Sequence, residues 1–210
     1  MNISSGRKIT TLLFNPFVYI AGGQALGLGL AAIILAALLG FAGGTHFDGV
    51  LDTHSGSGGP IWLFIAEGVI DWLCLAVVLL VLGKLVSSTA FRFIDVFGTQ
   101  ALARWPTIFI ALLTLAPGYQ RFVNHVAHLL MNPERTLKQP LDFFTADTPV
   151  FLTVAFLMLP LVVWFVALTY NAYSVSCNVR GAKAAGTFIA SLILAEILSK
   201  IAISALVHAL

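Results

Sequence analysis

Long apolar runs, separated by short polar stretches, dominate the pattern of hydrophobic and polar positions along this chain. A helix needs about 20 consecutive apolar residues to cross the roughly 30 Å hydrocarbon core of a bilayer. Five runs are long enough, at about residues 21–43, 61–83, 93–116, 149–173 and 184–208. We therefore predict an all-α integral membrane protein, a bundle of five transmembrane helices that forms a single domain over residues 1–210.

Two further helices are predicted outside the spans. Residues 8–20 are apolar but are interrupted by Asn15 and Pro16, so we expect an interfacial helix rather than a span. Residues 119–131 alternate with a helical period and predict an amphipathic helix on the membrane surface. Its apolar face holds Tyr119, Phe122, Val123, Val126, Leu129 and Leu130, and its polar face holds Arg121, Asn124, His125 and His128.

The composition agrees with a lipid environment and excludes several other classes of protein. Hydrophobic residues make up 59% of the 210 positions and charged residues only 10%, which is unlike a soluble domain. The formal net charge is +2 and no polybasic run occurs, so nucleic acid is not an expected partner. The lipid bilayer is the partner that this composition predicts.

Basic residues near the ends of the spans predict the orientation. One side of the membrane would hold Arg7, Lys8, Lys84, Arg92, Arg180 and Lys183, and the other would hold Arg121, Arg135 and Lys138. Because basic residues accumulate on the cytoplasmic side, we expect a cytoplasmic N-terminus and a C-terminus outside.

Five ionisable residues lie within the predicted spans, where such groups are costly and usually face the bundle interior. They are Glu67, Asp71, Arg104, Glu196 and Lys200. The i, i+4 spacing places Glu67 with Asp71, and Glu196 with Lys200, on one helix face each. We expect a buried polar network that joins spans two, three and five. Two interpretations stay open: polar contacts that only hold the helices together, or a proton or ion relay.

The stretch THFDGVLDTH, residues 45–54, gathers His46, Asp48, Asp52 and His54 symmetrically about Val50. A helix would scatter these side chains, and a straight strand would spread them over roughly 26 Å. A chain reversal at residues 49–51 would set Asp48 opposite Asp52 and His46 opposite His54. Two adjacent carboxylates then call for a cation between them.

A divalent metal, zinc or a similar transition metal, suits two imidazole and two carboxylate ligands. Three further residues could add to such a site, namely Glu67, His125 and His128. The alternative is an ordinary polar loop in which histidines and aspartates pair as surface groups. Both interpretations place the motif on the non-cytoplasmic side.

Several stretches resemble the Yip1 domain family of small integral membrane proteins. These are the opening LFNPF, the third-span stretch DVFGTQALARWPTIF and the fourth-span ending WFVALTYNAYSVSCNVRGAKA, together with the five-span layout. Eukaryotic members bind prenylated Rab GTPases and related membrane proteins. The short N-terminus is similar to the bacterial branch, which implies a bacterial inner membrane.

Three functions follow as hypotheses. The resemblance and the short loops favour a non-enzymatic membrane protein that binds other membrane proteins or copies of itself, or organises the bilayer. The carboxylates within the spans favour a small proton or cation transporter. A membrane metalloenzyme would use the metal to activate water, with Glu67 or Asp71 as general base, although no hydrolase motif is present.

Overall fold

The computed structural model describes residues 10–56, 58–131 and 144–209. Seven helices and one pair of short strands occur within these ranges. The helices are α1 (Gly22–Gly43), α2 (Ile61–Val86), α3 (Phe93–Ala103), α4 (Thr107–Thr114), α5 (Pro117–Leu130), α6 (Thr148–Ser176) and α7 (Gly181–His208). The strands are β1 (Thr45–His46) and β2 (His54–Ser55).

Five helical segments are long and apolar enough to cross a membrane: α1, α2, α3 together with α4, α6 and α7. The predicted five-span, all-α bundle is thereby confirmed. The span ends differ from the predicted ones by at most about one turn. For example, α2 continues to Val86 and α7 already begins at Gly181.

The N-terminal segment forms two short helical pieces instead of one helix, because Pro16 cannot continue the preceding helix. Residues 10–14 are helical and a 3-10 turn covers Pro16–Val18, while residues 8 and 9 lie outside the described ranges. The segment is held against α6 by two side chains. Trp164 donates from Nε1 to the carbonyl oxygen of Leu13 at 3.0 Å, and Asn171 donates to that of Phe14 at 2.8 Å.

The amphipathic helix predicted at 119–131 is present as α5. It buries Tyr119 and Leu129 and exposes Arg121 and Asn124, as the pattern indicated. Leu130 departs from the prediction, since it is 66% exposed at the last turn. The Arg121 guanidinium forms two hydrogen bonds with Asp147, the residue that precedes α6, and these connect α5 to the start of α6.

The third span is broken in its middle at Arg104-Trp105-Pro106. Because Pro106 has no N–H group, α3 ends at Ala103 and the helix resumes as α4 at Thr107. The carbonyl oxygen of Arg104 accepts hydrogen bonds from the backbone N–H of Thr107 at 2.9 Å and from its hydroxyl at 2.6 Å. The break places the Arg104 side chain where two helical pieces meet.

Helix α3 lies at the centre of the bundle and packs closely against α1. A Cβ added at Gly29 would lie 2.3 Å from backbone atoms of Ala101 and Leu102, so no larger residue fits there without displacement. Gly98 of α3 approaches the carbonyl oxygen of Gly22 equally closely. Small residues therefore allow the close helix contact that is typical of membrane bundles.

Candidate functional site

The motif at residues 45–54 folds back on itself. Strands β1 and β2 pair antiparallel, with Thr45 opposite Ser55 and His46 opposite His54. The predicted chain reversal and the facing histidines are confirmed. We refer to residues 45–55 as the hairpin, and to the end of the bundle where it lies as the hairpin end.

The sequence led us to expect that the hairpin would lie at the surface. In the structure it enters the bundle instead. Val50 at its tip is 2% exposed and belongs to the same buried cluster as Leu75 and Ala195. Leu51 donates its backbone N–H to Oε2 of Glu196 at 2.9 Å. Glu196 lies twelve residues before the end of α7, so the tip reaches about 18 Å along that helix.

Gly49 allows this depth because it carries no side chain. An added Cβ would lie 2.3 Å from Oε1 of Glu196 and 2.9 Å from Cβ of Asp52. The close contact with Glu196 was absent from our expectations. The signal in the sequence was the apolar pair Val50-Leu51 at the centre of an otherwise polar loop.

The two histidines of the hairpin stack and each pairs with a carboxylate. Nδ1 of His46 lies 3.0 Å from both carboxylate oxygens of Glu67, and this pair is buried. Nδ1 of His54 lies 2.9 Å from Oδ2 of Asp48. The two imidazole rings are parallel, with centroids 5.0 Å apart, and His46 also stacks on Phe64 at 4.0 Å.

Asp52 pairs with Lys200 of α7 rather than with Asp48. The ammonium group of Lys200 donates a hydrogen bond to Oδ2 of Asp52 and also lies 3.8 Å from Oε1 of Glu196. The hydrogen bond from Lys200 holds the pKa of Asp52 below its usual value. Both side chains of the Asp52–Lys200 pair are about half exposed, so solvent reaches this contact.

These pairings change the expected arrangement of the four motif residues. Asp48 and Asp52 were predicted to face one another with a cation between them, but each has its own protein partner. Within the described ranges, no group of three or more His, Cys, Asp or Glu side chains is gathered closely enough to hold a metal ion. Neither His125 nor His128 lines the cavity beside the hairpin. A zinc or similar site at these residues stays a prediction.

Beneath the hairpin, Asp71 of α2 and Arg104 at the end of α3 form what we call the central site. Asp71 is 0% exposed and Arg104 is 3% exposed. Among the described residues, neither carboxylate oxygen of Asp71 and neither Nε nor Nη2 of Arg104 has a hydrogen-bond partner. The two charges nevertheless lie close enough to interact electrostatically, and Glu196 and Asp48 act on Asp71 as well.

The surroundings of the central site offer Asp71 one neighbouring hydroxyl, that of Ser199, and in the described part of the chain they leave Nε and Nη2 of Arg104 without a hydrogen-bond partner. The hydroxyl of Ser199, which is near Asp71, donates to the carbonyl oxygen of Glu196 at 3.1 Å. The Arg104 guanidinium lies over the ring of Phe165, 5.6 Å from the centroid. The central site therefore joins α2, α3 and α7 by charge and packing, without a direct salt bridge.

The predicted buried network of Glu67, Asp71, Arg104, Glu196 and Lys200 is arranged in two layers. Asp71 and Arg104 form the deep layer. Glu67, Glu196 and Lys200 form the layer nearer the hairpin end, and each contacts a hairpin residue. The sequence suggested the five members and offered Glu67 as a neighbour of the histidine motif, but we did not expect Glu196 and Lys200 to contact the hairpin.

Polar side chains continue from the central site towards the other end of the bundle along α3 and α6. Gln100 lies one turn before Arg104 and donates from Nε2 to the carbonyl oxygen of Thr169 at 3.0 Å. The hydroxyl of Thr99, the residue before Gln100, lies 2.7 Å from the hydroxyl of Ser176. Arg92 and Asp95 pair through two hydrogen bonds of 2.9 Å at the start of α3.

A cavity of about 490 Å³ opens beside the hairpin, between the start of α2 and the end of α7. Its polar lining includes His46, Asp48, His54, Glu67, Lys200 and His208. Its volume is in the range of known small-molecule sites. The ionisable side chains of the hairpin residues His46, Asp48 and His54 therefore face an open cavity.

No protein-family model, curated protein or solved structure matches this chain.

Proposed function

We propose that this protein is a small, non-enzymatic membrane protein that moves protons or small cations across the bilayer, with Asp71 as the carrying group. The observation behind the proposal is the full burial of Asp71 near the middle of α2, without a hydrogen-bond partner in the described part of the chain. Inserting such a residue into a membrane costs roughly 2.5–3.5 kcal/mol, and residues of this kind mark ion pathways and proton relays.

Polar contacts that serve only to hold helices together make a poorer account of the central site. A buried polar group stabilises a bundle when its hydrogen bonds are made, whereas one left without them is worse than an apolar residue. Among the described residues, bonds of normal hydrogen-bond geometry are missing for both carboxylate oxygens of Asp71, for Nε and Nη2 of Arg104 and for Oε1 of Gln100. Arg104 also repels metal cations near Asp71, so the charges favour a proton as the carried species.

Ionisable and hydroxyl side chains lie on both sides of the central site. Towards the hairpin end are the pairs His46–Glu67 and His54–Asp48, and the second pair has a histidine side chain that is 54% exposed. Towards the other end are Gln100 and the hydroxyl pair of Thr99 and Ser176. Chains of such groups are what proton relays in membrane proteins use.

Purified protein in liposomes provides the test. A potassium gradient with valinomycin would drive protons inward, and a trapped pH-sensitive dye would report their rate of entry. We expect the wild type to acidify the lumen faster than empty liposomes, and Asp71→Asn to reduce the rate to that of empty liposomes. Asp147→Asn is the matched control, because it removes a surface carboxylate remote from the central site and should keep the flux.

Replacing the internal dye with reporters for sodium and for divalent cations separates a proton from the alternatives. Equal rates for wild type and Asp71→Asn with every ion would overturn the proposal, provided that both proteins elute as the same folded species. Asp71→Glu gives a second comparison, since it keeps the acid and should retain part of the flux.

Binding of membrane partners or of further copies of this chain, which the Yip1-like resemblance implies, stays a prediction with a different test. Crosslinking in native membranes would capture a stable partner, and a protein that remains alone would count against it.

A bacterial inner-membrane location and a cytoplasmic N-terminus also stay predictions. Metal analysis of wild type against a His46→Ala, His54→Ala variant would test the metal site.

A further inference from the structure

We infer that the hairpin is a hinged gate that closes the path from its end of the membrane to Asp71. This inference rests on the proposed function, because a gate has a purpose only if something passes the central site. The structural observations behind it do not depend on that function. They are the position of the hairpin, its contacts with α2 and α7, and the glycines on both sides of it.

The hairpin borders the cavity through His46, Asp48 and His54 and enters the bundle from the same end. Its tip residue Val50 is buried in the bundle, and Gly49 packs on the carboxylate of Glu196. The charge of Asp48 is near enough to act on Asp71. While the hairpin occupies this place, Asp71 has no contact with solvent.

Three contacts between the hairpin and the spans involve ionisable side chains of the spans. His46 pairs with Glu67 of α2, while Leu51 and Asp52 are held by Glu196 and Lys200 of α7. We call these three contacts the clasp. Because the clasp consists of side-chain contacts between separate elements, it can break while every transmembrane helix keeps its own backbone hydrogen bonds.

Glycines flank the hairpin on both sides. Gly43 and Gly44 precede β1, and Gly56, Gly58 and Gly59 follow β2. Gly44 has φ +60° and Gly59 has φ +116°, which are values that residues with side chains rarely adopt. A few positions of this kind can absorb the backbone rotation of a moving segment.

Space for the movement is available at the same end. The cavity of about 490 Å³ borders His46, Asp48 and His54, so unfilled volume lies directly beside the hairpin. A permanently fixed plug would be expected to fill this volume with apolar side chains. The cavity and the half-exposed Asp52–Lys200 pair instead let water reach the clasp.

Hydrogen exchange of the purified protein, followed by mass spectrometry, tests the gate without reference to transport. In the wild type we expect the peptide that covers residues 45–55 to be protected, because Leu51 donates its N–H to Glu196. Lys200→Met removes one clasp contact and should speed exchange of that peptide at least tenfold, with α2 and α7 unchanged. Lys84→Met is the control, since it removes a lysine from the last turn of α2 at the other end.

Glu196→Gln provides a second variant, which keeps a side-chain oxygen that can accept from Leu51 while it removes the charge. It should loosen the hairpin less than Lys200→Met does. Unchanged exchange of residues 45–55 in both variants would overturn the gate. Faster exchange throughout the protein would also overturn it, because the clasp would then hold the whole fold rather than a movable element.

Flux in liposomes separates this inference from the proposed function. If Asp71→Asn abolishes flux and Lys200→Met raises it at least threefold together with hairpin exchange, both hold. If flux depends on Asp71 but is the same in wild type and Lys200→Met, the hairpin is not a gate and the proposed function stands. If flux is absent or independent of Asp71, the proposed function fails, and a hairpin that opens in the exchange experiment is not a gate for ions.

Discussion

The two flanks of the bundle differ in how they use polar residues. The flank of α2 and α7 collects Glu67, Asp71, Glu196 and Lys200 around the hairpin. The flank of α6 contains no Asp, Glu, Lys, Arg or His over 29 residues, and Phe156 and Val163 there are about 70% exposed, at 72% and 68%. These four ionisable residues are thus gathered around the hairpin, whereas the exposed face of α6 is an ordinary surface for lipid.

We therefore expect substitutions in the two flanks to change stability by different amounts. Changes in the charged flank should alter stability strongly, because they leave buried groups without a counter-charge or force the hairpin out of place. Changes on the exposed face of α6 should matter little, since lipid replaces whatever contact is lost.

Arg104→Met should be the most destabilising single change. It removes the positive charge beside Asp71 and leaves a buried carboxylate uncompensated, which typically costs about 3–5 kcal/mol. The double variant Asp71→Asn, Arg104→Met should recover most of that loss, because no buried charge then remains. Thermal or denaturant unfolding in detergent measures both. A double variant no more stable than the single one would mean that the two residues do not act on each other.

Gly49→Ala should disturb the hairpin, because its Cβ would lie 2.3 Å from the carboxylate of Glu196. Overpacking of this kind typically costs about 1–3 kcal/mol. Gly27→Ala is the matched control in α1, where an added Cβ meets nothing within 4 Å. That control should be neutral or stabilising by about 0.5–1 kcal/mol, since alanine favours helix. Equal unfolding of the two variants would show that the tip is not tightly held.

Acid should loosen the junction between α5 and α6. The Arg121 guanidinium holds the pKa of Asp147 below its usual value of about 3.9. The stabilisation is therefore complete above that usual value and is lost as pH falls through the lowered pKa in the folded protein. Hydrogen exchange of α5, corrected for the intrinsic effect of pH, should show this loss in the wild type. Asp147→Asn should lack this pH-dependent loss of protection. If exchange of α5 depends on pH in the same way in wild type and in Asp147→Asn, the Arg121–Asp147 pair does not stabilise the junction.

Substitution on the lipid-facing side of α6 should have the smallest effect. Phe156→Leu changes a side chain that is 72% exposed, so we expect a change within about 0.5 kcal/mol. Phe165→Leu, nine residues later on the same helix, changes a ring that is 3% exposed and lies beneath Arg104, and should cost more. If unfolding reports the same loss for both, the face around Phe156 is covered by something other than lipid.

The sequence predicted those parts of the molecule that depend on long or periodic patterns. Hydropathy located the five spans, and the helical period located α5, because each signal extends over ten or more residues. The even spacing of His46, Asp48, Asp52 and His54 predicted the chain reversal.

The depth of the hairpin could not be predicted in the same way. Whether a short loop enters a bundle depends on the space that five helices leave between them, and no local pattern encodes this space. Consequently the partners of each charge were uncertain as well. Glu67 was expected both in the network of the spans and as an addition to the site at residues 46–54, and it pairs with His46. Asp52 was expected to face Asp48 and instead pairs with Lys200 of α7.

The most direct test of this account is the initial rate of proton entry into liposomes for wild type, Asp71→Asn and Asp147→Asn at equal protein content. The account predicts flux for the wild type and for Asp147→Asn, and a rate for Asp71→Asn no higher than that of protein-free liposomes. A folded Asp71→Asn protein that conducts protons as fast as the wild type would contradict it.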